Sequence, residues 1–474
     1  MLSREFLMKK LVTVVSNVQV QLVLCCSAAV LLTACGGGTA DMDQGQSSQT
    51  AAATYNSGAN TPVAALPSTD NSTPDTAIQS GAEPVGAPIE PAYDSPPLST
   101  VPSGAESGPD LSQDQPTRLL AGTTVVPAAS YHLYVATTGS DSNPGTQAAP
   151  LKTIARADAL ARAGHIIHVA PGTYKVAAAS LSSAGIRTTK SGTATARISF
   201  VSDVKWGAKI VFSGTGMAWN SKGSYVDITG FDISGTGRIG ILIEGAKSNV
   251  TKNIVHDLTV SGGCNGSGGS GINSWGPGGN LIDSNVVRNI GYQWVASRAC
   301  NTVQGIYITN ASNRISNNII SGAAAVAINN WHGATASTIV NNTMFNSKIG
   351  IWIGQGDSGA TSSGSANNFV GNNIIYNTAY GVTESGTMGG NNRYVNNLLY
   401  NAGVAWRLKT GVASGTIAAN PLFVNYQANG TGDYRLQGSS PAINRGTATL
   451  APTVDIAGVA RPRGAAFDIG AYEY

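Results

Sequence analysis

The sequence predicts an all-β chain built as a right-handed parallel β-helix. This solenoid carries an N-terminal capping helix and a C-terminal cap, and a disordered stalk precedes it. Three observations predict that fold. An Asn-Asn doublet or close variant recurs six times between Gly240 and Asn401. A Gly-Ile-x-Ile element or variant stands before each doublet. The composition, 58 glycines and only 11% charged residues in 474, is that of a turn-rich β protein.

The doublets are Lys252-Asn253, Ser284-Asn285, Asn317-Asn318, Asn341-Asn342, Asn372-Asn373 and Asn396-Asn397. Their second members follow one another at steps of 32, 33, 24, 31 and 24 residues. Three residues before each second Asn stands Val250, Ile282, Ile315, Ile339, Val370 or Tyr394. The second element runs Gly240-Ile241-Leu242-Ile243, Gly271-Ile272-Asn273, Gly305-Ile306-Tyr307-Ile308, Ala327-Ile328-Asn329, Gly350-Ile351-Trp352-Ile353 and Gly381-Val382-Thr383. No helical pattern of crossover length separates these short runs, which argues against a doubly wound sheet or a barrel. A coil of 24 residues with two or three short strands is the repeating unit of a solenoid. Its apolar side chains stack inward into one continuous core, and stacked amides pass hydrogen bonds from coil to coil. The longer steps carry insertions at 261–270, 291–304 and 354–367, expected as surface loops.

The N-terminal third reads differently. Arg4, Lys9 and Lys10 precede an apolar stretch from Val20 to Leu32, which is too short to span a bilayer comfortably and has the layout of a signal peptide. It ends Leu32-Thr33-Ala34-Cys35-Gly36, which resembles a bacterial lipobox. That resemblance implies residues 1–34 as a lipoprotein signal peptide, with translation starting at Met1 or Met8. Cys35 would be the lipidation site, and the chain would be held in the cell envelope as an outer-membrane lipoprotein or at the cell surface. From 35 to 130 the chain is Ser, Thr, Pro, Ala, Gly and Gln with scattered acids, and no Lys or Arg appears between Gly36 and Arg118. Without a hydrophobic period it has little apolar surface to offset chain entropy, so it reads as a disordered linker. The folded domain is expected over 131–474. The net charge of +3 and the lack of a basic stripe exclude nucleic acid as a partner.

Both ends of that domain resemble bacterial secreted β-helix proteins of the pectate-lyase-like superfamily. At the front the resemblance rests on Gly139-Ser140-Asp141-Ser142-Asn143-Pro144-Gly145-Thr146, Pro150-Leu151-Lys152-Thr153-Ile154 and Val169-Ala170-Pro171-Gly172-Thr173-Tyr174. At the back it rests on Asn420-Pro421-Leu422-Phe423, Asp433-Tyr434-Arg435-Leu436, Ser440-Pro441-Ala442-Ile443, Arg461-Pro462 and Asp468-Ile469-Gly470-Ala471-Tyr472-Glu473. It implies a capping helix over 153–164 and a closing segment that covers the coil ends. It is specific for the fold and weak for chemistry, since one fold hosts many functions.

Cys264 and Cys300 precede Gly271 and Gly305 in corresponding loops of adjacent coils. Coils lie about 4.8 Å apart, so a disulfide between them is geometrically reasonable. Strand alternation turns the isoleucines of Gly-Ile-x-Ile inward and their neighbours outward. Glu244, Asn273, Trp275, Tyr307, Asn329, Trp331 and Trp352 then share one long face, with His332 and Lys348 close to it. Rings pack on the C–H faces of sugars and amides satisfy hydroxyls, so the column suits a sugar chain. Packing beneath the insertion loops is the alternative.

A lyase needs a base beside a uronate and a group to neutralise its carboxylate. Lys348, His332, Tyr307 and His256 are the candidate bases, and Arg238 and Arg288 are secondary candidates. Glu244 is the only acid in these columns, which disfavours an inverting hydrolase with its two carboxylates. The clustered aspartates of a pectate-lyase calcium site are not seen, so no metal or other cofactor is expected. The chain is expected to act as a monomer. Two functions stand at this stage. One is a membrane-anchored extracytoplasmic polysaccharide-binding protein, with β-elimination as its chemistry. The other is a non-catalytic lipoprotein for exopolysaccharide retention or surface adhesion.

Overall fold

The computed structural model describes residues 131–265, 267–291, 300–356 and 364–474. The signal peptide, Cys35 and the linker lie outside these residues, as do parts of the loops at 291–304 and 354–367.

Each coil contributes one strand to each of three parallel faces. Face A is an 11-stranded sheet from His132–Val135 to Val412–Ser414. Face B begins at Gly172–Ala178 and face C at Ala184–Thr188. Near the end, Ile374–Gly386 and Leu398–Arg407 bend round the corner as continuous strands and fuse faces B and C into one 16-stranded sheet, with Leu398–Arg407 as its sixteenth strand. Neighbouring coils pair in parallel and in register, so equivalent side chains stack. On face C, Ile241 pairs with Ile272, Ile272 with Ile306, Ile306 with Ile328 and Ile328 with Ile351. All five are fully buried. This stack forms one wall of a continuous core with Val250, Ile282, Ile315, Ile339 and Val370 from face A.

The doublets make the corner between faces A and B. The first member takes the left-handed conformation, with φ between 51° and 58° from Lys252 to Asn396. Asparagine tolerates that region better than most residues. The second member turns inward. Its Nδ2 donates to the next Oδ1 from Asn253 to Asn285, then to Asn318, Asn342, Asn373 and Asn397, at 2.9–3.1 Å. Each of those oxygens also accepts the preceding Asn backbone N–H. A second, unforeseen ladder at the C-to-A corner uses Asn280, Asn313, Asn368 and Asn392.

The glycine of Gly-Ile-x-Ile has a steric cause. A Cβ on Gly305 would lie 2.5 Å from Ile320 Cγ2, and one on Gly350 would lie 2.5 Å from Ile375 Cγ2. The face-B core residue occupies the space that a side chain on face C would need.

The capping helix is shorter than expected and spans Ile154–Leu160. Thr153 caps it by accepting from Arg156 N–H, and the backbone turns extended at Ala161. The closing segment lies along face B. Phe423, Tyr434, Leu436, Ile456 and Ile469 pack on Ile319, Phe345, Ile374 and Leu398. At the end of the stack the last coil keeps an exposed edge, with Val404 44% and Val412 72% accessible. The covering expected at the coil ends is thus spent on a flank, because face B presents an apolar outer column that needs it.

Candidate active site on face C

The outer column of face C is continuous over seven coils. Arg187 pairs with Asn220, and the register then runs through Leu242, Asn273, Tyr307 and Asn329 to Trp352. These side chains form the floor of an open cleft of about 980 Å³. One wall comes from Ser267, Gly269, Asn301 and Thr302, and the other side from Glu244, Trp275, Trp331 and His332. Eight of the ten residues expected for catalysis or binding therefore meet in one cleft: Tyr307, His332, Glu244, Asn273, Trp275, Asn329, Trp331 and Trp352.

The rings are close to one another. Trp331 and Trp352 have centroids 4.8 Å apart and their planes cross at 56°. His332 lies 5.9 Å from Tyr307 and 6.5 Å from Trp275. Trp352 is held by an Nε1 donation to Ser385 Oγ at 2.9 Å. Trp275 is 56% exposed, which leaves its ring open to a ligand. The floor is short of donors. Asn220 Oδ1, Asn273 Oδ1 and Asn329 Oδ1 are buried without a hydrogen-bond partner, as is the Ser270 hydroxyl oxygen. Orphaned polar atoms in a cleft mark where a ligand's hydroxyls would be held.

Two candidates lie elsewhere. Lys348 stands on the turn before its face-C strand and does not line the cleft. Its Nζ donates to the Cys300 carbonyl at 3.3 Å and to Asn301 Oδ1 at 3.0 Å, so it pins the loop that lines the cleft. His256 belongs to Ile254–Val260 on face B. There Nε2 meets Asp232 at 2.9 Å and Nδ1 meets Asp257 at 2.6 Å. Arg288 joins this network through Asp257 at 3.3 Å. The Asp232 carboxylate holds the His256 imidazole above its usual range, with burial opposing and Asp257 adding to the effect. His256 and Arg288 stand on neighbouring strands of face B, Ile254–Val260 and Val286–Ile290, and do not line the cleft.

Arg187, Lys222 and Asn220 also line it, and the sequence reading missed them. Their signal was present two coils upstream of the obvious repeat. Gly185-Ile186-Arg187 and Ala218-Trp219-Asn220 are the same small-apolar-outward element, with Trp219 in place of isoleucine. Lys222 pairs with Glu244 at 2.6 Å, and Asn220 Nδ2 donates to the other oxygen of Glu244 at 3.2 Å. The Cys264–Cys300 disulfide forms, with Cα atoms 5.0 Å apart, and ties two insertion loops beside the wall. Among the described residues no group of three or more His, Cys, Asp or Glu is placed to hold a metal ion.

Residues 133–274 match the model of the Pel9A-like right-handed β-helix region. The crystal structure of pectate lyase Pel9A superposes with a TM-score of 0.51 at 16% identity, over 72% of this chain and 96% of that one. A rhamnogalacturonan lyase gives 0.46 at 16% identity, over 65% and 96%. An alginate lyase from Paenibacillus sp. str. FPU-7 gives 0.39 at 20%, over 52% and 84%. No curated protein sequence matches the chain. At these identities the likeness speaks for architecture alone, and that architecture is the right-handed parallel β-helix.

Proposed function

We propose that this protein binds a polysaccharide along face C, outside the cytoplasm and held to the envelope through Cys35. The observation that carries the reading is the cleft floor, where the unpartnered amide oxygens of Asn220, Asn273 and Asn329 alternate at the coil pitch with Leu242, Tyr307 and Trp352. Rings take the C–H faces of sugars, and the Asn220, Asn273 and Asn329 oxygens take hydroxyl protons.

The groups present also suit β-elimination on a uronate. Tyr307 or His332 would remove the proton beside the carboxylate, and the Arg238 guanidinium would neutralise that carboxylate. The bond from the sugar ring to the leaving oxygen would break as the ring double bond forms. The leaving oxygen would then take up a proton.

The experiment incubates the full chain with a panel of uronic-acid and neutral polysaccharides. It follows binding by calorimetry and cleavage by the ultraviolet absorbance of an unsaturated product. Binding without product on any polymer would leave the retention reading and end the lyase one. Absence of binding to every polymer would end both.

A further inference from the structure

The two ends of the cleft differ in chemistry. Arg187, Lys222 and Arg238 gather at the end formed by the earlier coils, against one carboxylate, that of Glu244. Glu244 is already paired with Lys222 at 2.6 Å. That leaves Arg187 and Arg238 without a carboxylate partner among the described residues, and the Nε of Arg238 is buried there with no acceptor. The later coils contribute Tyr307, Trp331, His332 and Trp352, and no Lys, Arg, Asp or Glu among the described lining residues from Asn273 onward. From Arg187 to Trp352 the floor climbs six coils, roughly 29 Å at about 4.8 Å per coil, enough for several sugar units.

We infer that the cleft takes a glycan of mixed character in one fixed direction, with uronates against Arg187 and Arg238 and uncharged sugars on the Trp331–Trp352 rings. This rests on the reading that face C binds a sugar chain. The physical reasons are two. A guanidinium whose Nε is enclosed without an acceptor gains most from a carboxylate, which it binds through charge-assisted bonds. An aromatic face carries the negative lobe of the ring quadrupole, so it favours C–H groups and disfavours an anion laid over it. A uniformly acidic chain would therefore be well held at one end and poorly at the other. A uniformly neutral chain would leave the arginines unsatisfied. A chain with acidic and neutral blocks satisfies both ends in one orientation only.

The test uses the full chain and four probes that share one backbone. These are an oligogalacturonate, its fully methyl-esterified counterpart, and two block oligomers carrying the acid block at the reducing or at the non-reducing end. One block order should bind at least tenfold more tightly than the other, and its advantage should shrink as salt rises. Arg238→Ala should lower affinity for the favoured block oligomer at least tenfold more than affinity for the ester. Trp331→Ala should do the reverse. Should Arg238→Ala fail to fold, Arg238→Gln and the exposed Arg187→Ala carry the same comparison. Equal binding of the two block orders by a protein that binds them both would overturn the direction while leaving the cleft a glycan site. Loss of all four probes by the unaltered chain would instead remove the glycan reading itself.

Discussion

Asn341 and Asn342 are neighbours in the chain, yet their amides serve opposite sides of one corner. Asn342 turns inward, donates to Asn373 Oδ1 at 3.0 Å and accepts from both nitrogens of Asn318. Asn341, with φ of 54°, turns outward and donates to the Asp468 carbonyl at 2.9 Å. The doublet thus holds two jobs, the inner ladder and the docking of the closing segment. Asn317, Asn372 and Asn396 repeat the outward job on Val454, Thr447 and Arg445 carbonyls. At Lys252 and Ser284 the doublet keeps only its inner asparagine.

The two substitutions should separate cleanly. Asn342→Ala removes the acceptor of the buried Asn318 backbone and side-chain N–H groups, and should cost about 3 kcal/mol. Asn341→Ala loses the donations to the Asp468 and Gly470 carbonyls and the bond accepted from Asn372 Nδ2, and it places alanine in the left-handed region, for about 2 kcal/mol. Urea unfolding gives both values. Limited proteolysis should cut the closing segment faster in Asn341→Ala. Equal losses in the two variants would contradict the division of labour.

The corner between faces B and C makes a steric prediction. Alanine at Gly305 would bring its Cβ to 2.5 Å from Ile320 Cγ2 and 2.7 Å from the Ala327 carbonyl. Neither neighbour is the loose end of a flexible side chain. Gly305→Ala should therefore destabilise by about 1–3 kcal/mol through overpacking. A thermal midpoint unchanged from the parent would show that the corner has slack.

How far the sequence reaches follows from where the period is clean. From Gly240 on, each coil repeats two signals, so the stacking of Ile241 and Ile306 and the shared face of Trp331 and Trp352 could be read directly. Before it, Trp219 replaces isoleucine and no doublet marks the corner, so Arg187 and Asn220 were passed over although they continue the same column. Glu384 was equally hidden. It occupies the position that Ile353 holds one coil earlier, in a column where isoleucine otherwise alternates with Ser221, Ser274 and Asn330. The structure explains a carboxylate at this position, one coil before the last. Its carboxylate accepts Tyr394 Oη at 2.7 Å and the backbone N–H groups of Lys409, Thr410 and Gly411 at 2.6–3.1 Å. Burial resists its ionisation, but these four donors outweigh it and hold the carboxyl below its usual range. Such a partner set comes from a turn folded back on the coil and leaves no periodic trace. The path of the closing segment is illegible for the same reason, since backbone carbonyls are its acceptors.

The Cys264–Cys300 bond closes a 36-residue separation between two loops that carry wall residues of the cleft. Chain-entropy reasoning puts its worth at about 3–4 kcal/mol, acting through the unfolded state. Replacing both cysteines by serine should lower stability by up to that amount. It should also weaken glycan binding, because Ser267, Asn301 and Thr302 lose their tie. Stability lost with affinity intact would show that Lys348, bonded to the Cys300 carbonyl and Asn301, holds the wall alone.

The His256 network on face B gives a pH dependence whose sign is fixed. The folded imidazole titrates above the usual histidine range, chiefly through Asp232. A raised folded pKa stabilises fully below the unfolded value, and that stability is lost as pH rises through the folded one. Protonated His256 bridges Asp232 and Asp257, which belong to adjacent coils, while Arg288 approaches from the next coil and lowers the effect. His165 acts in the opposite sense, since burial and Arg162 depress its imidazole, so the parent curve mixes the two. The difference between the parent and His256→Gln isolates the network. Unfolding free energy measured from about pH 6 to 8 should fall more steeply in the parent than in the variant. Parallel curves would mean that the two aspartates hold those coils together without the proton on His256.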